Sequence, residues 1–495
     1  MKTHLRFLNA LTITLVFLAT RTQANVRLPS IFSDHMVLQA GLGVPVWGWA
    51  DPGEGIVVSV NSQTQSATAD SDGKWQVKFD AMKADESQTL TVRGKNTLVI
   101  NDVLIGEVWL CSGQSNMALP VTKAADFSRE QSAAVWPRIR TFTTKWVVCS
   151  PETVGDFSAT GYFFGREVHQ KTGRAVGLIN RSAGGSPIEL WTSLEAQKDV
   201  AELKPTLEVK EPPKAVSKDA IAQAESDRKQ ALATEGKQAA AGKKRPPGYL
   251  FDDRIAPLIP YAIRGVVWYQ GEANSYTVHA NLYGRQLAVL ITDWRRRWGC
   301  EFSFLSVQLP ELGRAQTEPV EASGRAFVRE GVLQSLSLPN TGMAVTLGTG
   351  EEKSNHPVNK QEVGRRLALW ALAMVYGQKD VVPSGPLLAS HKVDGNQVVI
   401  SFTHADGGLV AKGGELKGFA IAGKDQKWVW ANAMIRGNTV VASHPDVQEP
   451  VAVRYAWATN PAGSNLFNGA GLPTSPFRTD DWLPEGKAVH SPLAP

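Results

Sequence analysis

The chain has 495 residues, 43% of them hydrophobic and 20% charged, a globular rather than disordered composition with room for two or three domains. Its 52 basic and 47 acidic residues leave a net charge of only +5, spread without a clear basic stripe, so nucleic acid is not an expected partner. Fifteen tryptophans supply indole faces that either fill cores or stack on sugar rings.

Residues 1–24 carry Lys2 and Arg6, then the apolar run Leu8 to Ala19, then Thr22-Gln23-Ala24. This is the pattern of a signal peptide, and it predicts an exported protein, periplasmic or secreted. The run is too short for a membrane span, and no later stretch reaches the roughly 18–20 apolar residues that a span needs. Cys111, Cys149 and Cys300 have no metal-ligand spacing. One disulfide among them is open, with at least one thiol left over.

Residues 25–104 alternate short β-rich runs with turns such as Asp51-Pro52-Gly53 and Asp72-Gly73, predicting an N-terminal β module. Asp34 and His35 are adjacent there and read as structural. From Gly106 the rhythm becomes strand and helix in turn, predicting an α/β domain with a largely parallel sheet over 105–387. Gly106 to Pro120 reads as an apolar strand ending in a small, polar turn at Ser115. On these residues alone that turn is equally an ordinary strand-to-helix connection. The strand Ala175 to Ile179 leads to Gly184-Gly185, and the strand Ile263 to Tyr269 to Gln270-Gly271-Glu272-Ala273-Asn274. A segment at about 195–250 is rich in Ala, Lys, Glu and Gln, and Ser217 to Ala241 within it predicts a solvated helical insertion. The strand Met343 to Leu347 precedes the polar loop Gly348 to Asn359 and the helix Lys360 to Tyr376. Residues 388–495 return to β alternation, predicting a C-terminal β module.

Four buried-type strands thus end in polar loops, at Ser115, Gly184-Gly185, Gln270 and Gly348 to His356. In an open parallel sheet ligands bind beyond the carboxyl ends of the strands, so these loops are expected to converge on one cleft. Together they hold what acyl transfer needs: a hydroxyl nucleophile, a base and donors for an oxyanion. His356 is the histidine that stands in a strand-end loop of the α/β region, and imidazole, with an ordinary pKa of about 6.5, suits a general base. Ser115 is not in a G-x-S-x-G elbow, since Met117 stands at the second glycine. No H-E-x-x-H or comparable metal spacing is present, and metal catalysis is not expected. Glu107, Glu189 and Glu272 fall near the proposed cleft, but nothing in the sequence singles out a glycosidase pair.

Gly113-Gln114-Ser115-Asn116-Met117, Ser182-Ala183-Gly184-Gly185-Ser186-Pro187-Ile188-Glu189-Leu190-Trp191, Val267 to Asn274 and His356-Pro357-Val358-Asn359-Lys360 resemble, in order, the motifs of the sialate O-acetylesterase family. The flanks Asp34 to Gln39, Val46 to Ala50, Val453 to Trp457 and Pro476 to Asp480 resemble it too, so the likeness spans nearly all of the mature chain. The resemblance implies an SGNH hydrolase, with a three-layer α/β/α (flavodoxin-like) domain between the two β modules. It implies Ser115 as nucleophile and His356 as base, with the Ser115 N–H, the Gly184-Gly185 turn and the Gln270 amide as oxyanion donors. Gln114, Asn116, Glu272 and Asn274 are implied to lie beside the substrate, an O-acetylated carbohydrate, and no cofactor is implied.

Two departures stand out. The family usually shows Asp-Ile-His-Pro, whereas this chain has Ser354-Asn355-His356-Pro357, so the triad acid is missing from its expected place. Disrupting that acid costs about 10⁴-fold in serine proteases. Glu351 or Glu352 reaching His356, Ser354 or a backbone carbonyl orienting it, or a silent glycan-binding protein are the open outcomes. Asp252-Asp253-Arg254 also replaces the usual Asn, small residue and Met, which points to a different specificity. A polysaccharide deacetylase of the acetylxylan type and an esterase for longer acyl chains are the other readings.

Overall fold

The computed structural model describes residues 25–207, 245–320 and 323–483. The expected signal peptide and the helical stretch Ser217 to Ala241 lie outside the described residues.

The central element is a strand of 17 residues, Thr97–Gly113 (β1), exposed and alternating at first and wholly buried from Val103 onward. Its first half pairs antiparallel with Asp85–Arg93, and Leu104 to Gly106 pair in parallel with Val37–Gln39. Its second half is a middle strand of the α/β sheet. The β region and the α/β region therefore share one strand, and the expected limit at residues 104 and 105 falls inside it.

The other strands of that sheet are Trp136–Phe142 (β2), Trp146–Cys149 (β3), Val176–Ser182 (β4), Gly265–Tyr269 (β5), Ser303–Val307 (β6) and Thr341–Ala344 (β7). The order is β7-β6-β5-β1-β4-β2-β3, with every pair parallel except β2 with β3. Strands β2 and β3 had no counterpart in the sequence reading. The order of β4, β1, β5, β6 and β7 is that of a flavodoxin-like doubly wound sheet, whose topological switch lies between β1 and β5. Ser115 follows one of these strands and Gln270 the other.

Helices cover both faces. Ser115–Ala118 (α1) is a single turn, and Ala159–Thr172 (α2) is capped by the Ser158 hydroxyl, which accepts from Gly161 N, and ended by Gly173 in the left-handed region. Tyr283–Trp298 (α3) packs against Gly324–Gln334 (α4), and Lys360–Trp370 (α5) against α2. Trp109 of β1 meets Phe164 of α2 edge to face at 4.9 Å, while Trp268 of β5 meets Trp294 of α3 at 5.9 Å. The result is the expected three-layer α/β/α architecture.

The C-terminal region forms two four-stranded antiparallel sheets, one from Leu387–Asp394, Gln397–Thr403, Thr439–Ser443 and Asn432–Arg436, the other from Trp428–Trp430, Phe419–Ala422, Ala452–Tyr455 and Phe477–Arg478. Arg329 of α4 fastens it to the α/β layers. Its buried guanidinium donates to Ala458 O (2.6 Å) and Thr459 O (3.0 Å) on one side and to Leu309 O (2.7 Å) and Pro310 O (2.8 Å) on the other. The three cysteines are free thiols, Cys111 and Cys149 buried and Cys300 exposed. Burial pushes the Cys111 and Cys149 thiols up to about 12, so both are inert at neutral pH. Among the described residues no helix is long and apolar enough to cross a membrane.

Candidate active site

Gly113, the last residue of β1, has φ +134°. A Cβ there would lie 2.1 Å from Tyr269 O, so only glycine lets the ends of β1 and β5 close up. Gln114 N then donates to Tyr269 O at 2.9 Å, and the chain turns into α1 with Ser115 as its first residue. Ser115 is half-buried, and its N–H is one that a helix start leaves without an intrahelical acceptor.

His356 arrives from the far side of the sheet. Its Nε2 lies 2.7 Å from Ser115 Oγ. The loop that carries it is fixed through the backbone. Glu311, just past β6, accepts from Gly348 N and from Gly350 N (3.0 Å), and Glu351 Oε1 accepts from Val358 N at 2.8 Å. Ser354 Oγ accepts from His356 N at 3.1 Å, and Asn359 caps α5 by accepting from Glu362 N. Of the three expected orienting groups, Ser354 and Glu351 thus act on the backbone on either side of the imidazole, and Glu352 is exposed.

Gly184 and Gly185 follow β4 beside Ser115, since Ala183 N donates to Gly113 O at 3.0 Å. Gln270, expected as an oxyanion donor, is held within the protein. Its amide nitrogen meets Asn274 Oδ1 at 2.7 Å and Gln114 Oε1 and Ser186 O at 3.2 Å each. Two hydrogens face three acceptors and the side chain is fully buried, so Gln270 braces the floor of the site.

Gln114, Asn116, Glu272 and Asn274, expected beside the substrate, are buried as well, at 2%, 0%, 1% and 4% exposure. Asn116 Nδ2 donates to Glu272 Oε1 and to Asn355 O (2.9 Å), and its Oδ1 accepts from Lys360 Nζ at 2.6 Å. Asn274 Oδ1 accepts from Ile188 N at 3.0 Å and its amide donates to Glu189, whose carboxyl is held above its usual range by burial. Glu107 is remote from the site. It lies six residues up β1 from Gly113, about 20 Å at strand rise, bound to Arg174 and Arg264.

Sequence reasoning missed Glu311, Arg325 and Lys360. Glu311 was within reach, because β6 is a further strand that ends in a polar loop at the same edge. At the carboxyl edge of this sheet a half-buried serine is thus bonded to a histidine.

Residues 250–372 match the family described as carbohydrate esterase, sialic acid-specific acetylesterase. The sialate O-acetylesterase of Homo sapiens is 28% identical over 517 aligned residues, covering 91% of this chain and 92% of that one; that of Mus musculus is 28% identical over 512, covering 91% and 94%. The crystal structure of a carbohydrate acetylesterase from Xanthomonas citri is 34% identical, with a TM-score of 0.80 over 92% of this chain and 100% of that one. The chain belongs to the sialate O-acetylesterase family.

Proposed function

We propose that this protein removes O-acetyl groups from sugars through an acyl-enzyme on Ser115, with His356 as general base. The observation that carries the reading is the 2.7 Å separation of Ser115 Oγ and His356 Nε2. At that distance Nε2 takes the hydroxyl proton as Oγ attacks the acetyl carbonyl carbon. The oxyanion that develops is met by the Ser115 N–H and by the backbone of the Gly184-Gly185 turn. His356 then gives its proton to the departing sugar oxygen, leaving acetate esterified to Ser115. A water deprotonated by His356 attacks that ester, and acetate and the free serine are restored.

Ser115→Ala and His356→Ala are expected each to abolish acetate release from an activated acetyl ester while the melting temperature stays unchanged. Full activity in Ser115→Ala sinks the reading, and saturable glycan binding without turnover in the unmutated protein replaces it with that of a silent binder. Acetate release across acetylated sialic acid, acetylated xylan and simple acetylated sugars identifies the substrate. Export is part of the proposal, supported by Lys2, Arg6 and the apolar run that follows them. Recovery of the protein with its first 24 residues still attached inside the cell speaks against it.

A further inference from the structure

Lys360 is the first residue of α5, and its side chain is completely buried. Lysine is seldom found so placed without a partner. Its Nζ donates to Asn116 Oδ1 at 2.6 Å and lies 5.4 Å from the centre of the Tyr269 ring, whose face favours a cation. An ammonium carries three hydrogens and no acceptor. It therefore selects the carbonyl end of the Asn116 amide and turns the NH₂ end the other way. That end meets two groups which only accept, the Glu272 carboxylate and Asn355 O. Chemistry on both sides thus dictates which way the amide points.

The two ends of this link are what give it a consequence. Asn116 follows Ser115, and Asn355 precedes His356. Asn355 is gripped a second time, by the Arg325 guanidinium on its side-chain oxygen, while another Arg325 nitrogen holds Pro310 O at 3.2 Å. Among the described residues the buried Glu272 Oε2 has no hydrogen-bond partner, and Glu272 favours the ammonium form of Lys360 nearby.

We propose that Lys360 is a positioning residue for the reaction: through Asn116 it locks the turn that carries Ser115 to the loop that carries His356. This rests on the reading of Ser115 and His356 given above. Lys360 touches neither the substrate nor the reacting atoms. Without its ammonium Asn116 Oδ1 loses its donor, one of the two sides that fix the amide is gone, and the Ser115 to His356 distance loosens. Misplacing a catalytic group by about 1 Å is enough for a loss on the order of 10²-fold.

The test compares the full chain with Lys360→Met and with the charge-balanced double variant Lys360→Met/Glu272→Gln. Three quantities are read: kcat and KM on an activated acetyl ester, the rate at which a fluorophosphonate labels Ser115, and the melting temperature. In both variants kcat and the labelling rate are expected to fall about tenfold to a hundredfold, with KM within about twofold. The double variant is expected to melt close to the unmutated protein, because no buried carboxylate is left uncompensated. Should the single variant fail to fold, the double variant carries the test. A folded double variant with unchanged kcat and labelling rate overturns the proposal, because Lys360 is then only a counter-charge for Glu272. Failure of the unmutated protein to be labelled, while it still releases acetate, strikes at the Ser115 reading instead.

Discussion

A Cβ on Gly113 would stand 2.1 Å from the carbonyl oxygen of Tyr269, so the two central strands meet at a point that only glycine allows. The φ of +134° at Gly113 excludes ordinary side chains as well. Gly113→Ala is therefore expected to separate β1 from β5 just ahead of Ser115. A loss of about 1–3 kcal/mol in stability and a fall in kcat larger than the change in KM are the expected results. Urea denaturation alongside steady-state kinetics checks both.

Ser354 accepts the backbone N–H of His356 at 3.1 Å. Ser354→Ala leaves that donor without its acceptor and is expected to cost about 1 kcal/mol. It should lower kcat several-fold, and the labelling rate of Ser115 should fall with it. Ser354→Thr, which keeps the hydroxyl, should recover most of the loss.

Lys360 gives stability a pH dependence of known sign. Burial pushes its ammonium down to about 7 against an ordinary value of 10.5, with Glu272 and Glu351 opposing the shift. Between those two values the unfolded chain binds more protons than the folded one, so this residue makes stability rise with pH from about 7 toward 10.5. Below about 7 the lysine is charged in both states and contributes no slope. Removing it by Lys360→Met is expected to flatten the curve. Melting temperatures at pH 6, 7, 8 and 9 would show the gap between the two proteins steady up to about 7 and changing only above it.

Arg454 and Asp480 form a two-pronged ion pair at 2.6 and 2.8 Å, with only 8% and 2% of their side chains exposed. Arg454 is also sandwiched between Trp428 and Trp457, at 4.6 and 5.1 Å from their rings. Asp480→Asn leaves a buried guanidinium without its counter-charge and is expected to cost about 3–5 kcal/mol. Since Arg454 belongs to the C-terminal sheet and not to the strand-end loops of the site, kcat measured well below the melting temperature should stay within about twofold. Calorimetry and a single activity assay decide it.

The chemistry of the site was readable from local pattern because it sits at strand ends. A buried strand announces itself as an apolar run, and the polar residues that stop it mark the carboxyl edge where an α/β sheet binds ligands. Ser115, Gly184, Gly185 and His356 were singled out this way, and the structure brings Ser115 and His356 into hydrogen-bond contact. Proximity along the chain to a strand end does not say which side of the turn a side chain takes, and Gln114, Asn116, Gln270, Glu272 and Asn274 are buried and hydrogen-bonded within the protein. The strand Trp136–Phe142 escaped notice because Pro137, Arg138 and Arg140 break its apolar run, and Trp146–Cys149 because it is only 4 residues long.

By itself the sequence determined the alternation of strands and helices, the residues of the nucleophile's turn and the family to which they belong. These depend on side-chain periodicity and on motifs a few residues long. Only the tertiary structure decided that β1 runs unbroken from the N-terminal β region into the α/β sheet, because pairing partners at each end, rather than the strand's own residues, define its length. Only the tertiary structure decided, too, that Lys360 is buried. A lysine at the start of a helix reads as solvated until packing encloses it, and here α5, β5 and α1 close around one ammonium and give it Asn116 as its acceptor.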